Sequence, residues 1–327
     1  MMHDAAKLDA ERQELHGRRR VRNVRFESRH PDFHRLIPDD TSVECIASGF
    51  VNSEGPVWMK DYLLFTDAAR NRILRWRPLP EGPELTTYRF PSGFPLDRPA
   101  TVGQPGAMGL TVDRTGRLIA CETGNRRVTR TEPDGRITVM ASRYQGKALN
   151  RPNDVIIRSD GSIYFTDPAY RLPTPTEPRE LDVQGVYRVA PDGSIQLVID
   201  DFSFPNGLAL SPDERVLYVD DSDRKHIRAF DVAKDGSCSN GRVFGDMQTS
   251  EPGVPDGMKV DQQGNVYCGG GGGLWIFSPR GDQLGRLILP DWPRNLAWGD
   301  SDWRTLYVTA GTSVYRLRLP GPGVPVW

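Results

Sequence analysis

Side chains that carry oxygen recur at one position of a repeated pattern in this 327-residue sequence. The residues at this position are Glu54, Met108, Asn153, Asn206, Asp256 and Asn295. All but the methionine bear a carboxylate or an amide, the groups that hard cations such as Ca²⁺, Mg²⁺ and Mn²⁺ prefer as ligands. Asn-Gly and Asp-Gly dipeptides are also common turn signals, so the argument depends on the shared position and not on one residue. The pattern predicts a site for one divalent cation.

The segments that begin at these residues share one order of elements. Each holds a short apolar strand, a polar turn, a second strand and a third strand of alternating character. The sequence VYRVAPDGSIQLVID at 186–200 shows a further hairpin, in which Pro-Asp-Gly separates the third strand from a fourth. Four strands per repeat and a mean spacing of roughly 48 residues are typical of propeller blades. The sequence therefore predicts an all-β, six-bladed β-propeller.

The repeats also predict how the chain is divided. Residues 1–40 are expected to be a charged N-terminal tail, 41–320 the propeller and 321–327 a loose, proline-rich C-terminal tail. The apolar segment 43–51 is expected to pair with the last blade and so to close the ring. Because the first strand of each blade lines the channel, the opening residues should meet at one mouth, with Asn295 only supporting the wall.

Composition excludes several classes of function. The formal net charge of −1 gives no electrostatic case for binding nucleic acid or an anionic membrane surface. The N-terminus lacks the apolar stretch of a secretory signal, and no apolar run is long enough to span a membrane. The four cysteines, Cys45, Cys121, Cys238 and Cys268, are widely spaced and form no C-x-x-C pair. We therefore expect reduced thiols and a cytoplasmic protein, while nothing in the sequence specifies an oligomeric state.

Four motifs in this order resemble those of the gluconolactonase, regucalcin and senescence-marker-protein family. They are SEGPVW (53–58), RPND (151–154), FPNGLALSPDERVLYVDDS (204–222) and PDGMKVDQQGNVY (255–267). The resemblance runs from about residue 40 to 320 and implies a six-bladed propeller that hydrolyses sugar lactones with a bound divalent metal. Ca²⁺ is the cation first expected, with Mg²⁺, Mn²⁺ and Zn²⁺ as alternatives.

The resemblance also implies roles for individual residues. The implied metal ligands are Glu54, Asn206 and Asp256, and Asn153 is either a fourth ligand or a substrate contact. Arg151 is similar to an arginine that contacts substrate hydroxyls, and 165–170 resembles the pocket wall. Tyr170 and Met108 are expected to line the pocket with Arg151. Many bacterial members have Asn in place of Met108 and often His in place of Thr123, and a varied loop in place of the glycines at 269–273, which leaves the substrate open.

Lactone hydrolysis requires a polarised carbonyl, a deprotonated water and a stabilised oxyanion. A divalent cation can supply the first and third, and Asp256 is the expected general base. Asp154 follows a predicted ligand directly, so strand alternation should turn its side chain away from the cation. Asp220 and Asp221 resemble an aspartate pair of the family, with a loop hydrogen-bonding role as the alternative. No histidine falls at the predicted channel mouth, and no G-x-S-x-G elbow occurs, which disfavours a serine hydrolase.

Two other functions compete with lactone hydrolysis. The same metal could serve another ester or an organophosphate, as in more distant relatives of the same architecture. Alternatively, the propeller could be a non-catalytic calcium-binding or protein-interaction platform. A platform would have no need for Arg151 beside the metal residues, so the sequence favours catalysis.

Overall fold

Short runs of β-branched and aromatic residues, bounded by Gly, Pro, Asp and Asn, form the strands of this protein. The computed structural model describes residues 14–97, 103–172, 174 and 176–326. The first strands in chain order are β1 (Glu14–Arg20), β2 (Arg25–Ser28), β3 (Val43–Met59), β4 (Tyr62–Asp67), β5 (Arg72–Arg77), β6 (Glu84–Arg89), β7 (Leu110–Val112), β8 (Leu118–Glu122), β9 (Arg127–Thr131), β10 (Ile137–Ala141), β11 (Arg143–Tyr144), β12 (Lys147–Ala148) and β13 (Val155–Ile157).

The remaining strands continue the same pattern. They are β14 (Ile163–Asp167), β15 (Gly185–Val189), β16 (Ile195–Ile199), β17 (Pro205–Leu210), β18 (Val216–Asp221), β19 (His226–Val232), β20 (Cys238–Asp246), β21 (Met258–Val260), β22 (Val266–Gly270), β23 (Gly273–Phe277), β24 (Gln283–Ile288), β25 (Asn295–Gly299) and β26 (Thr305–Arg318). One short helix, α1 (Phe33–Leu36), and two 3₁₀ turns, Ala68–Arg70 and Thr123–Asn125, complete the regular structure of the described residues.

Consecutive strands pair antiparallel in separate sheets. Three sheets have four strands each, β7 to β10, β13 to β16 and β17 to β20, and a fourth joins β21 to β24 with β2 at its outer edge. The outer β2 pairs with β24, for example Arg25 with Ile288. A separate two-stranded hairpin joins β11 and β12. Buried side chains fill the space between neighbouring sheets, as where Tyr164 and Val186 pack with Leu208 and Phe230.

The fifth sheet has seven strands and contains both ends of the repeat region. Its order is β25-β26-β3-β4-β5-β6, with β1 also paired to β3. The first part of β3 pairs with β26, for example Ala47 with Val314, and from Ser53 onward β3 pairs with β4. The prediction that 43–51 pairs with the last strands of the chain is therefore confirmed. The six sequence repeats are distributed over five sheets because β3 and β26 run without a break through this sheet.

The first strands of successive repeats form a closed ring. Each of these strands contacts the next one in the order β3, β7, β13, β17, β21 and β25. The last strand, β25, contacts β3 again. Hydroxyl groups at the ends of second strands also link neighbouring repeats by donating to backbone carbonyls. These bonds are Thr66 to Met108 (3.3 Å), Thr123 to Pro152 (2.6 Å), Thr166 to Asn206 (2.7 Å) and Ser222 to Pro255 (2.7 Å). The fold is an all-β, propeller-like arrangement.

The described residues on either side of the repeats are more ordered than the sequence indicated. The region before residue 40, expected to be a charged tail, contributes β1, β2 and α1, and Phe33 and Ile37 are fully buried. Residues 1–13 of that region lie outside the described residues. At the other end, Gly323 donates its N–H to the Trp303 carbonyl (2.8 Å) and Val324 donates to Val260 (3.2 Å). The predicted boundaries leave these segments outside the fold because such short segments show no repeat and no periodic pattern in the sequence.

The glycine after four of the six opening residues is required by the narrowness of the ring. A Cβ atom there would overlap the next repeat at its opening residue. The atoms met at the opening residues are the Met108 carbonyl oxygen for Gly55 (1.9 Å), Asn153 O for Gly109 (2.8 Å), Asp256 O for Gly207 (2.1 Å) and Asn295 Cγ for Gly257 (2.0 Å), and the Gly109 Cβ would come closer still to Asp154 Oδ1 (2.4 Å). The X-Gly dipeptides thus mark a close approach of neighbouring strands rather than turns.

None of the described helices is long and apolar enough to cross a membrane.

Substituting Gly207→Ala should therefore push two first strands apart. Overpacking of this kind typically costs about 1–3 kcal/mol, and here the clash is with backbone. We expect urea denaturation to show at least this loss in the free energy of unfolding. Gly321→Ala is the matched control, because its Cβ would meet only the Gln263 side chain at 3.7 Å. An equal loss in the two variants would contradict the close-approach explanation.

Candidate functional site

All seven residues predicted to act at the site line one cavity of about 350 Å³. They are Glu54, Met108, Arg151, Asn153, Tyr170, Asn206 and Asp256. The remaining lining residues are Gln104, Thr123, Phe204, Ser222, Asp223, Val254, Trp292 and Arg294. A smaller and more apolar cavity of about 120 Å³ lies at the opposite ends of the first strands, beside residues 324–326, and contains none of the seven.

Glu54 and Asp256 bring two nearly buried carboxylates to the base of the larger cavity. Their relative exposures are 3% and 7%. Glu54 Oε2 accepts the Gly55 N–H (3.0 Å), whereas the buried Oε1 has no hydrogen-bond partner. Burial raises the pKa of Glu54 from 4.5 to about 7, and burial together with Glu54 raises the pKa of Asp256 well above its usual range. Such a pair favours either a shared proton or a bound cation.

The amide of Asn206 is oriented by a neighbouring hydroxyl. Ser222 Oγ donates to the Pro255 carbonyl (2.7 Å), so its free lone pair accepts a hydrogen bond from Asn206 Nδ2 (3.1 Å). This directs Asn206 Oδ1 to the other side, where it accepts a hydrogen bond from Asn153 Nδ2 (3.0 Å). Asn206 therefore presents its oxygen at the site, while Asn153 presents its amide nitrogen to Asn206.

Three aspartates at the ends of second strands fix the segments that lead into Glu54, Asn153 and Asn206. Each accepts a backbone N–H from a residue shortly before the opening residue of its own repeat. These bonds are Asn52 N–H to Asp67 (3.1 Å), Asn150 N–H to Asp167 (2.7 Å) and Ser203 N–H to Asp221 (2.8 Å). Asp221 thus has the loop hydrogen-bonding role, and it also accepts bonds from the N–H groups of residues 204, 223 and 224. The aspartates position the cavity residues without lining the cavity.

A second group of charges lies behind the cavity wall. Asp154 does not line the cavity, and its Oδ1 accepts the Val155 N–H (2.9 Å) while Oδ2 is buried without a partner. Asp220 is fully buried, and burial with the nearby Asp256 and Asp154 raises its pKa well above the usual range. Burial raises the pKa of Asp154, and the positive charge of Lys259 partly offsets this rise. Lys259 Nζ also lies 3.4 Å from Asn295 Oδ1. Asn295 is buried behind the wall and not in the cavity.

The expected substrate wall is present, but Arg151 already has partners. Its fully buried side chain forms an ion pair with Glu177 and donates to the Thr123 carbonyl (3.4 Å). Tyr170 packs edge to face against Phe204, with ring centroids 6.2 Å apart. An oxygen of a bound molecule would therefore meet an arginine whose position is fixed by Glu177.

Sequence reasoning did not identify Arg294 and Trp292, which form the opposite wall. The Arg294 guanidinium lies over the Trp292 ring at 4.3 Å, and Nη1 is 3.9 Å from Asp256 Oδ2. Both residues precede Asn295, which was expected only to support the wall. The sequence does show that Arg294 directly precedes the opening residue Asn295. The comparison of repeats began at the opening residues and so did not cover the position before them. Ser222 likewise lies in the motif at 204–222, but the sequence predicted no role for it.

The residues fit a hard cation better than a zinc-type site. Among the described residues, no three His, Cys, Asp or Glu side chains come together in a way that would hold a metal ion. The predicted ligand set has two carboxylates, and its remaining oxygens belong to amides. The partnerless Glu54 Oε1 and the oriented Asn206 Oδ1 are oxygen donors suited to Ca²⁺, Mg²⁺ or Mn²⁺.

Glu54 should make the stability of the metal-free protein depend on pH. Because its folded pKa is raised from 4.5 to about 7, its protonated form stabilises the fold below 4.5, and that contribution is lost as the pH rises through 7. The loss is on the order of 3 kcal/mol. We expect wild type to lose more stability than Glu54→Gln in urea denaturation with EDTA between about pH 5 and about pH 8. Parallel pH profiles for the two proteins would show that Glu54 does not titrate in this way.

The sequence of this chain is similar to those of known proteins over most of its length. A family model described as the SMP-30/gluconolactonase/LRE-like region matches residues 52–312. A gluconolactonase from Zymomonas mobilis is 35% identical over 303 residues, which cover 88% of this chain and 84% of the relative. A regucalcin from Xenopus laevis is 27% identical over 277 residues, which cover 82% of this chain and 86% of the relative.

A solved structure extends the likeness to three dimensions. The gluconolactonase from Xanthomonas campestris has a TM-score of 0.79 at 31% identity, covering 94% of this chain and 100% of that one. The family that the four sequence motifs resemble is thereby confirmed. On the motifs, the match over most of the repeat region and the shared fold, the chain belongs to the SMP-30/gluconolactonase/LRE-like family.

Proposed function

We propose that this protein is a metal-dependent lactonase that opens a sugar lactone to the corresponding hydroxy acid. The observation that carries the proposal is the convergence of Glu54, Asp256 and the oriented Asn206 amide on one cavity, with Glu54 Oε1 buried and without a partner. The relatives from Zymomonas mobilis and Xanthomonas campestris are both gluconolactonases, which supports a lactone as substrate.

The proposal includes a six-bladed propeller as the domain at 41–320. The seven-stranded sheet would then consist of two blades joined through β3 and β26. The ring of contacts among β3, β7, β13, β17, β21 and β25 supports this count, because each of these strands opens one sequence repeat. The short strands before residue 40 would then be additions to outer edges rather than blades.

The proposed ligands of one divalent cation are Glu54, Asn206 and Asp256, with Asn153 as a fourth ligand or a substrate contact. Charge balance supports a single ion. Buried carboxylates around the site number four when Asp154 and Asp220 are included, and the cations beside them are Lys259 and Arg294. One divalent cation would favour the ionised forms of Glu54 and Asp256, whose pKa values burial raises, and would balance their two charges. Ca²⁺ is the first candidate because all the proposed donors are oxygens.

The proposed hydrolysis assigns separate roles to the cation, to the pocket wall and to Asp256. A bound divalent cation would supply polarisation of the lactone carbonyl and stabilisation of the oxyanion. Tyr170, Met108 and Arg151 would orient the lactone above the carboxylates. The Asp256 carboxylate would take the proton of the attacking water as the new C–O bond forms. The ring C–O bond then breaks as the protonated Asp256 returns that proton to the leaving oxygen. The product is the open hydroxy acid.

The aromatic wall supports testing a second class of substrate. Trp292, Phe204 and Tyr170 would accept the C–H face of a sugar, but also an apolar ester. An aryl ester and an organophosphate therefore belong in the panel beside aldonolactones.

Proton release from this panel, measured with and without EDTA, tests the proposal after spontaneous opening is subtracted. We expect metal-dependent turnover of at least one aldonolactone. Asp256→Asn should lower kcat by about 10²–10⁴-fold if Asp256 is the general base. Asp231→Asn, at an outer strand beside Arg242, is the matched control and should keep wild-type turnover.

Two results would contradict this proposal separately. Full turnover by Asp256→Asn with metal still bound would remove Asp256 as the base. The absence of metal-dependent turnover on every lactone would reject the lactonase itself.

A further inference from the structure

We propose that Arg294 is a built-in cation that pairs with the site carboxylates in the metal-free protein and competes with the divalent cation for them. It would thereby set the affinity of the site. This inference rests on the metal site of the proposed function, but it concerns a residue outside the ligand set.

The backbone holds Arg294 firmly in place beside the site. Its N–H donates to the Thr309 carbonyl (2.8 Å), and its carbonyl accepts the Gly257 N–H (2.7 Å), which joins it to the residue after Asp256. The guanidinium is held over Trp292 at 4.3 Å, and the side chain is 24% exposed. A charge fixed in this way cannot move far when another cation enters.

The contact between Arg294 and Asp256 is electrostatic but loose. The Nη1 to Oδ2 distance of 3.9 Å is longer than the roughly 2.7–2.9 Å of a charge-assisted hydrogen bond. The buried Nε of Arg294 has no hydrogen-bond partner. Asp256 can therefore turn to another cation without breaking a strong hydrogen bond.

The other cations near the site have partners of their own. Arg151 forms its ion pair with Glu177, and Lys259 lies beside Asn295 behind the wall. Arg294 is therefore the described cation placed to neutralise Glu54 and Asp256 when no metal is present. The same positive charge must repel a divalent ion that binds to Asp256. Over a distance of a few ångströms, this repulsion should raise the dissociation constant of the ion on the order of tenfold or more.

Removing the charge should have two effects of opposite sign. At pH 8, Arg294→Gln should lower the melting temperature of the metal-free protein, because the buried site carboxylates lose the positive charge that lies beside Asp256. It should also tighten the binding of Ca²⁺ or Mn²⁺ by about tenfold or more. Arg294→Lys, which keeps a charge, should remain close to wild type in both. A merely structural role would weaken both folding and binding.

The experiment measures CaCl₂ and MnCl₂ binding calorimetrically on EDTA-stripped full-length protein, with melting curves before and after metal addition. Arg316→Gln is the matched control, because Arg316 also lies over a tryptophan, Trp76, at 5.4 Å and is paired with Glu44 away from the cavity. It should lower stability without changing the dissociation constant.

The outcomes separate this inference from the proposed function. Equal or weaker binding by Arg294→Gln, with wild type binding normally, overturns the inference alone. Binding by Arg294→Gln but not by wild type supports the inference and rejects metal dependence of the wild-type enzyme. If neither protein binds a divalent cation, both proposals fail.

Discussion

Burial of like charges is the constraint on which the site depends. Asp256 is nearly buried, and this burial raises its pKa. The nearby Glu54 raises the pKa of Asp256 further. The ring stabilises this arrangement with oriented dipoles and with cations. The Gly55 N–H faces Glu54, and Arg294 lies beside Asp256. What remains is a negative site with a partnerless oxygen, which is the environment that a divalent cation would complete.

The backbone of the ring makes this concentration of charge feasible. Neighbouring first strands approach so closely that Gly207 has no room for a Cβ atom beside the Asp256 carbonyl. Hydroxyls such as Thr166 then join one repeat to the next, and Asp167 and Asp221 fix the segments that lead into Asn153 and Asn206. Donors from separate sheets therefore meet with little freedom to relax. Preorganisation of this kind belongs to the fold rather than to any single ligand.

Much of the site could be predicted because it recurs with the repeat. An oxygen-bearing residue at the same position of successive repeats must lie at the same height in the ring, which placed Glu54, Asn153, Asn206 and Asp256 together. The choice of Glu54, Asn206 and Asp256 as metal ligands is what the resemblance to the family implies. Arg294 escaped prediction because it lies one residue outside that position and contacts Asp256 of the neighbouring repeat. The order of residues 20–40 escaped for a similar reason, since the burial of Phe33 depends on distant strands and not on a local period. Apart from the β11–β12 hairpin, the described strands form five sheets instead of six separate blades, because a repeat comparison cannot show that β3 and β26 continue through one sheet.

Anomalous diffraction from crystals of the wild-type protein soaked with Mn²⁺ would show whether Glu54, Asn206 and Asp256 bind a cation. We expect one strong peak in the cavity that these residues line, within coordination distance of all three and off the axis of the ring. The peak should disappear in Glu54→Gln crystals treated in the same way. A peak held by other residues, or none at these carboxylates in a well-occupied soak, would contradict a metal site at the centre of this protein's function.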